Sequence, residues 1–382
     1  MSIKNVVISL LWVGLQSTQV NACGGGVYTG VNKRSLDLTK RENGGFTGCV
    51  TPSPLTCEVL GTCVYGNHTQ DSWSVKDNIR QMQLADDAYN NQDFSRFNHR
   101  EDTVVYMPGE LKFDMAQHVQ GMLVDFAAFP LQQVDNHPYP LSIGEGDWTV
   151  ALTGVSGTNI GPIRGPSGWR SGTGRDINYE VCTFAKWEGG RITREHLWMD
   201  TITLNRQLGF LPSPVSSAPT ISLSISDYTL PLSSNPDQDP SSENKSLFRQ
   251  IESSFNQGNF DSDSLKLSPN VTIFTSRDDG PSGLSSAKFQ ERIDQWTTAL
   301  SGLKLTTEVL IGHGDWTASI SRLQGTLQGS LRVPEYISIS PIRGNGTFDV
   351  WCYTIARWQG GLITHLKLMT DPLTIIEQLE EN

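Results

Sequence analysis

The sequence is short of positive charge, of charge in general and of long apolar runs. Its 382 residues hold 29 Lys and Arg against 40 Asp and Glu, a net charge of −11, which argues against a nucleic-acid partner held by phosphate neutralisation. Charged residues make up only 18% of the chain, whereas hydrophobic residues make up 37% and there are 10 Trp. A disordered chain shows the reverse, so the composition is that of packed globular domains. Past the N-terminus no apolar run approaches the ~20 residues of a membrane span. The 7 His form no His-Glu-x-x-His and the 6 Cys no Cys-x-x-Cys pair, so neither a local metal motif nor a cofactor is expected. A Gly-x-Ser-x-Gly elbow and a phosphate-binding loop are missing too, which disfavours nucleophilic hydrolysis and nucleotide use. At roughly 150 residues per domain, the length predicts two domains.

What is present begins with an export signal over residues 1–22. Lys4 supplies the positive start, Val6 to Leu15 the apolar stretch, and Val20-Asn21-Ala22 the short residues before a cut. Residues 23–75 are rich in Cys and Gly. Cys23, Cys49, Cys57 and Cys63 crowd into this segment, and an even set in an exported chain predicts two disulfides with three pairings open. Cys182 and Cys352 stand alone in β-like runs and read as small core residues. Asn67, Asn244, Asn270 and Asn345 begin Asn-x-Ser/Thr sequons, which suit a secreted glycoprotein. A rival reading takes Val-Asn-Ala-Cys as a lipidation box that anchors the chain through Cys23.

The most informative feature is an internal repeat. Ile143-Gly-Glu-Gly-Asp147-Trp148-Thr recurs as Ile311-Gly-His-Gly-Asp315-Trp316-Thr, and Trp187-Glu-Gly-Gly recurs as Trp358-Gln-Gly-Gly. Asp200 follows Trp187, and Asp371 follows Trp358, by 13 residues. The copies span 76–211 and 245–382, and the Pro- and Ser-rich stretch 212–244 between them has the composition of a linker. Each copy opens with helical spacing: Ile79, Met82, Ala85, Tyr89 then Met115, Val119, Met122, Phe126 in the first, and Leu247, Ile251, Phe255 then Phe289, Ile293, Trp296 in the second. Strand-like runs follow, Trp148 to Val155, Ile177 to Trp187 and Ile192 to Asp200 in the first copy. Helices before strands predict an α+β fold with helices on one face of an antiparallel sheet.

On Gly-Asp147-Trp148-Thr, Cys182-Thr-Phe-Ala-Lys-Trp187, the Gly-Gly turn and Glu195-His-Leu-Trp-Met-Asp200, the first copy resembles the SnoaL-like polyketide cyclases (ester cyclases) of the NTF2-like superfamily. The second copy resembles them more weakly. The resemblance implies two tandem cones, each a curved sheet wrapped by helices around a pocket. It also implies cofactor-free acid/base chemistry of the cyclase or isomerase type on a hydrophobic small molecule. A non-catalytic extracellular binding or scaffold protein is the alternative, and either a homo-oligomer or pairing of the two cones within the chain is expected.

Such chemistry needs a proton acceptor and a proton donor beside an apolar pocket. The resemblance points to His118 on the second helix, His137 before the Gly-Asp-Trp motif, and Glu195 and Asp200 at the closing strand. Trp148 and Trp187 are expected in the pocket wall. At ~3.3 Å per residue, His196 and Asp200 on one strand face lie ~13 Å apart, while Glu195 and Asp200 have opposite parity. Asp200 is therefore the first choice, Glu195 the second, and His196 the third because it shares the face of Asp200. Asp200 has a rival role as the N-cap of a helix over 201–208. In the second copy Leu366 stands for Glu195, Leu305 takes the offset of His137 and only Asp371 persists, so that copy is expected to be a scaffold.

Overall fold

The computed structural model describes residues 73–165, 168–211, 240–275, 283–331 and 342–381. The four clustered cysteines and Asn67 lie outside them. The fold is mixed α+β, with one seven-stranded and one five-stranded sheet.

Two helices open the first unit. Helix α1 (Val75–Asn90) starts on a capping box, with the Ser74 hydroxyl accepting from the Asp77 N–H and the Asp77 carboxylate from the Ser74 N–H. After strand β1 (His99–Met107) and the short β2 (Leu111–Phe113) comes helix α2 (Met115–Ala128), capped the same way by Asp114 and Gln117. Each cap contributes about 1 kcal/mol by satisfying N–H groups that have no intrahelical partner. The strands that follow are β3 (Gln133–Val134), β4 (Leu141–Glu145), β5 (Trp148–Thr158), the small hairpin β6 (Ile163–Gly165) and β7 (Gly168–Arg170), then β8 (Asp176–Glu188) and β9 (Arg191–Met199). Helix α3 (Thr201–Gln207) closes the unit. Gly189 and Gly190 join β8 to β9 with φ of 58° and 74°. Two left-handed residues in a row match the strand twist, and only glycine takes them without strain. At Gly190 a Cβ would also lie 2.4 Å from the Trp73 ring.

The sheet order is β2-β1-β9-β8-β5-β3, with β4 also on β5, and β1 runs parallel to β9. The expectation of a wholly antiparallel sheet is thus corrected. The first half of β1, His-Arg-Glu-Asp, carries no apolar alternation; the buried set Thr103, Val105, Met107 begins only later.

The second unit begins with α4 (Ser241–Asn256), four residues before the sequence-based boundary at 245. It continues with β10 (Leu267–Phe274), α5 (Ser286–Ala299), β11 (Leu300–His313), β12 (Trp316–Leu327), β13 (Ser330–Leu331), β14 (Ile342–Arg343), β15 (Thr347–Gln359), β16 (Leu362–Met369) and α6 (Pro372–Glu381). Its sheet runs β10-β16-β15-β12-β11, again with the first strand parallel to the last. The Trp187 indole donates to Thr149 and the Trp358 indole to Thr317, each over 2.8 Å.

The two sheets pack against each other through Val150, Leu152, Phe184 and Trp198 on one side and Ile320, Tyr353, Ile355 and Met369 on the other. Around this apolar contact the Trp198 indole donates to the Thr370 carbonyl over 3.0 Å. Ion pairs join Lys367 to Glu180, Arg322 to Glu110, Lys245 to Glu145 and Arg194 to Glu308. Cys182 and Cys352 are buried and free, and burial pushes both thiols up, that of Cys352 to about 12. Asn244 is buried within α4, so a glycan there is incompatible with this packing, whereas Asn270 and Asn345 are exposed. Among the described residues no helix is long and apolar enough to cross a membrane.

Candidate active site

Strand alternation decides which side chains meet in the first unit. On β9 the odd positions Glu195, Leu197 and Met199 face the side covered by α1 and α2, while Trp198 faces the second sheet. On β8 the same side takes Tyr179, Val181 and Thr183, and on β5 Thr153 and Val155. From above, α1 contributes Met82, Ala85, Asp86 and Tyr89, and α2 contributes His118, Met122 and Asp125, spacings of one helical face. These residues enclose a cavity of about 110 Å³.

At one end of it sit three buried polar groups. Glu195 Oε2 lies 3.3 Å from His99 Nε2 and 3.7 Å from His118 Nε2. The Phe97 ring stacks on His99, centroids 4.9 Å apart, and fixes its plane. Burial lowers His118 to about 4 against the pull of Glu195, so its imidazole is neutral at pH 7. Burial works against the Glu195 charge, but His99, by charge and hydrogen bond, and then His118 outweigh it and hold the carboxyl below its ordinary value. The ligating atoms of His99, His118 and Glu195 all lie within 4.8 Å of one another, a set able to hold a metal ion.

Two half-buried carboxyls share the cavity. Burial pushes Asp125 up to about 7. It does the same to Asp86, where a hydrogen bond from the Tyr139 hydroxyl, 2.5 Å, pulls the other way and the Glu195 charge adds to the rise. Tyr179 and Tyr89 line the same space with hydroxyls raised above their ordinary range by burial first and the Asp125 charge second. The cavity is therefore mainly apolar and carries two carboxyls that burial raises to about 7.

Of the residues singled out in the sequence, Glu195 and His118 meet here and the others lie elsewhere. Asp200 is the N-cap of α3: its carboxylate accepts from the Thr203 N–H, 3.1 Å, and the Thr203 hydroxyl, 2.7 Å, and it lies not in this cavity but in the wall of a second one, beside Phe248, Phe289 and Trp296. Its acceptor capacity serves the first turn of the helix. His196 has the parity of Trp198 and lies between the sheets, stacked on Tyr106 with centroids 4.3 Å apart and edge-on to Trp351. Burial, then Arg194 and Arg322, keep it neutral. His137, its side chain 61% exposed, bonds Asp87 over 2.7 Å. Trp148 packs toward the second sheet, and Trp187 belongs to the core beside Tyr139 and Ala185, so neither walls this cavity. Sequence reasoning missed His99, Asp86 and Asp125. The last two had a signal, an acid inside an apolar helical stripe, between Ala85 and Tyr89 and between Met122 and Phe126; His99 had none.

Among solved structures, the chain is similar to AclR from Streptomyces galilaeus, at 20% identity over 36% of this chain and 100% of that one, TM-score 0.33. It is similar to IdmH from Streptomyces antibioticus at 19% over 35% and 98%, TM-score 0.31. TsrD from Streptomyces laurentii matches at 20% over 37% and 100%, TM-score 0.32. No curated protein matches the chain. The family model of the SnoaL-like polyketide cyclases matches residues 79–208, the stretch that holds Asp86, His99, His118, Asp125 and Glu195, and this part of the chain is a SnoaL-like polyketide cyclase domain.

Proposed function

We propose that the first unit is an acid/base enzyme of the cyclase or isomerase type, acting on a hydrophobic small molecule that carries a carbonyl group. The observation that carries this reading is the pair Asp86 and Asp125, two carboxyls that titrate at about 7 in one apolar cavity. An acid whose pKa sits at the working pH is populated both as donor and as acceptor. One carboxylate takes the proton beside the carbonyl, and the other, still protonated, returns one at a second position. No atom is gained or lost, and the product is an isomer. Glu195 contributes a fixed negative charge that helps Asp86 keep its proton. In this reading the chain is two tandem NTF2-like cones, 76–211 and 241–382, exported by the signal over 1–22, with the second cone as scaffold.

The test is incubation of the purified protein with a library of apolar ketones and esters, followed by mass spectrometry with isomer separation. Conversion at constant mass by wild type, absent with Asp125→Asn, supports the proposal. Equal conversion by Asp125→Asn removes that residue from the reaction. The second reading, a carrier that holds its ligand unchanged, is favoured by one observation. A larger cavity, about 220 Å³, lies mainly in the other unit, walled chiefly by apolar side chains such as Phe248, Phe289, Trp296 and Leu366 and closed by Trp198 to Ile202 of the first. Retention of a compound with no conversion by wild type supports that reading.

A further inference from the structure

We propose that His99, His118 and Glu195 form a binding site for a divalent transition-metal ion of the zinc class. The three are far apart in sequence, on β1, α2 and β9, yet bring two imidazole nitrogens and a carboxylate oxygen within 4.8 Å of one another. Ligands bound at ~2.0–2.2 Å in a tetrahedral site stand ~3.3–3.5 Å apart. The His99–Glu195 contact of 3.3 Å already has that spacing, and His118–Glu195 at 3.7 Å is close to it. Both imidazoles turn the same atom, Nε2, toward the same oxygen, so all three donors converge on one point. Two imidazoles and one carboxylate leave a fourth position for a ligand oxygen, the donor set of catalytic rather than structural zinc. All three residues line the cavity, so a molecule there reaches that position, where a cation polarises a carbonyl oxygen. The site goes beyond the acid/base proposal and revises the sequence expectation that no metal is bound. The ligand spacings of 19 and 77 residues form no local motif.

The experiment uses the full chain without a histidine tag, stripped by chelator and titrated with Zn²⁺ against a chromophoric competitor, with Co²⁺ as a spectroscopic probe. Wild type is expected to hold a Zn²⁺ that Glu195→Gln and His118→Gln each weaken by more than the roughly 10–100-fold typical of losing an outer partner. In wild type, Co²⁺ is expected to give intense visible bands that both variants lose. His137→Gln, on the surface and outside the cavity, keeps the affinity. Melting curves of the metal-free variants confirm that they fold, and the wild-type titration stands even where a variant does not. Failure of wild type to bind, or binding unchanged in Glu195→Gln, overturns the proposal; the second result places the ion elsewhere, for instance among the N-terminal cysteines. The readout is binding, so it is decided apart from any turnover.

Discussion

The two cavities are built on matching frames and differ at the positions that carry chemistry. Glu195 stands opposite Val105 in the β1–β9 register, and Leu366 stands opposite Ile273 in β10–β16. His99 pairs with Ile192 where Leu267 pairs with Ile363. Counted from the N-caps Asp114 and Ser285, His118 falls at the place of Phe289 and Asp125 at that of Trp296. Leu267, Phe289, Trp296 and Leu366 all line the second cavity. The second unit therefore packs a matching frame with apolar side chains at these four positions. Buried acids and histidines cost desolvation energy. Groups that burden the fold and gather in a cavity mark a candidate site.

The largest expected effect bears on that asymmetry. Asp125→Asn is expected to lower turnover by roughly 10²–10⁴-fold, the usual contribution of a positioned proton-transfer group, while Trp296→Phe at the matching place leaves it unchanged. Initial rates on a converted ketone or ester check both.

A second prediction asks whether the units stand alone. Lys367 and Glu180 form a buried pair across the two sheets. Lys367→Met leaves the carboxylate without its cation, and stability is expected to fall by about 3–5 kcal/mol. Denaturant unfolding followed by Trp fluorescence reads the loss.

Exchanging the polarity of the two cavities has a smaller effect. Leu366→Glu places a carboxyl in a cavity lined mainly by apolar side chains, and it is expected to cost about 2–3 kcal/mol at pH 8 and less at pH 5, where it takes a proton. Glu195→Leu removes a buried charge but also its hydrogen bond with His99, and it is expected to cost about 1–3 kcal/mol at both pH values. Chemical denaturation at the two pH values compares them.

The smallest effect is a pH dependence. Asp125 ionises near 4 when unfolded and at about 7 when folded, so the folded state holds the extra proton and stability falls as pH rises through that window. His118 acts the other way: its folded value of about 4 lies below the ordinary 6.5, so its contribution is lost as pH falls from 6.5 towards 4. Asp125→Asn removes the first effect and leaves the second. Its Tm is expected to match wild type at pH 4 and to exceed it by a few degrees at pH 8, measured by calorimetry.

Much of the frame was legible because it is written in local physics. Periodic apolar residues and caps such as Asp114 and Ser285 mark the helices, and the Gly-Gly pairs mark hairpins whose φ values only glycine takes cheaply. Strand β1 was not legible, since charged residues fill its first half and its partner β9 lies almost a hundred residues on. Asp200 and Glu195 show why the site was only half readable. Glu195 lies in the middle of β9 and Asp200 just past its end, and the sequence reads the same whichever face of the strand turns inward.

By itself the sequence determined the opening helices, the later strands of the first unit, the repeated motifs and the acids and histidines from which a site could be chosen. Only the tertiary structure shows which of them share one cavity. Parity on β9 sent Glu195 into the cavity and His196 between the sheets, and the first turn of α3 took the Asp200 carboxylate. The parallel pairing of β1 with β9 then brought His99 to Glu195. Helix and strand propensities act over a few residues, whereas proton exchange and metal ligation need atoms a few ångströms apart, and only long-range packing sets those distances.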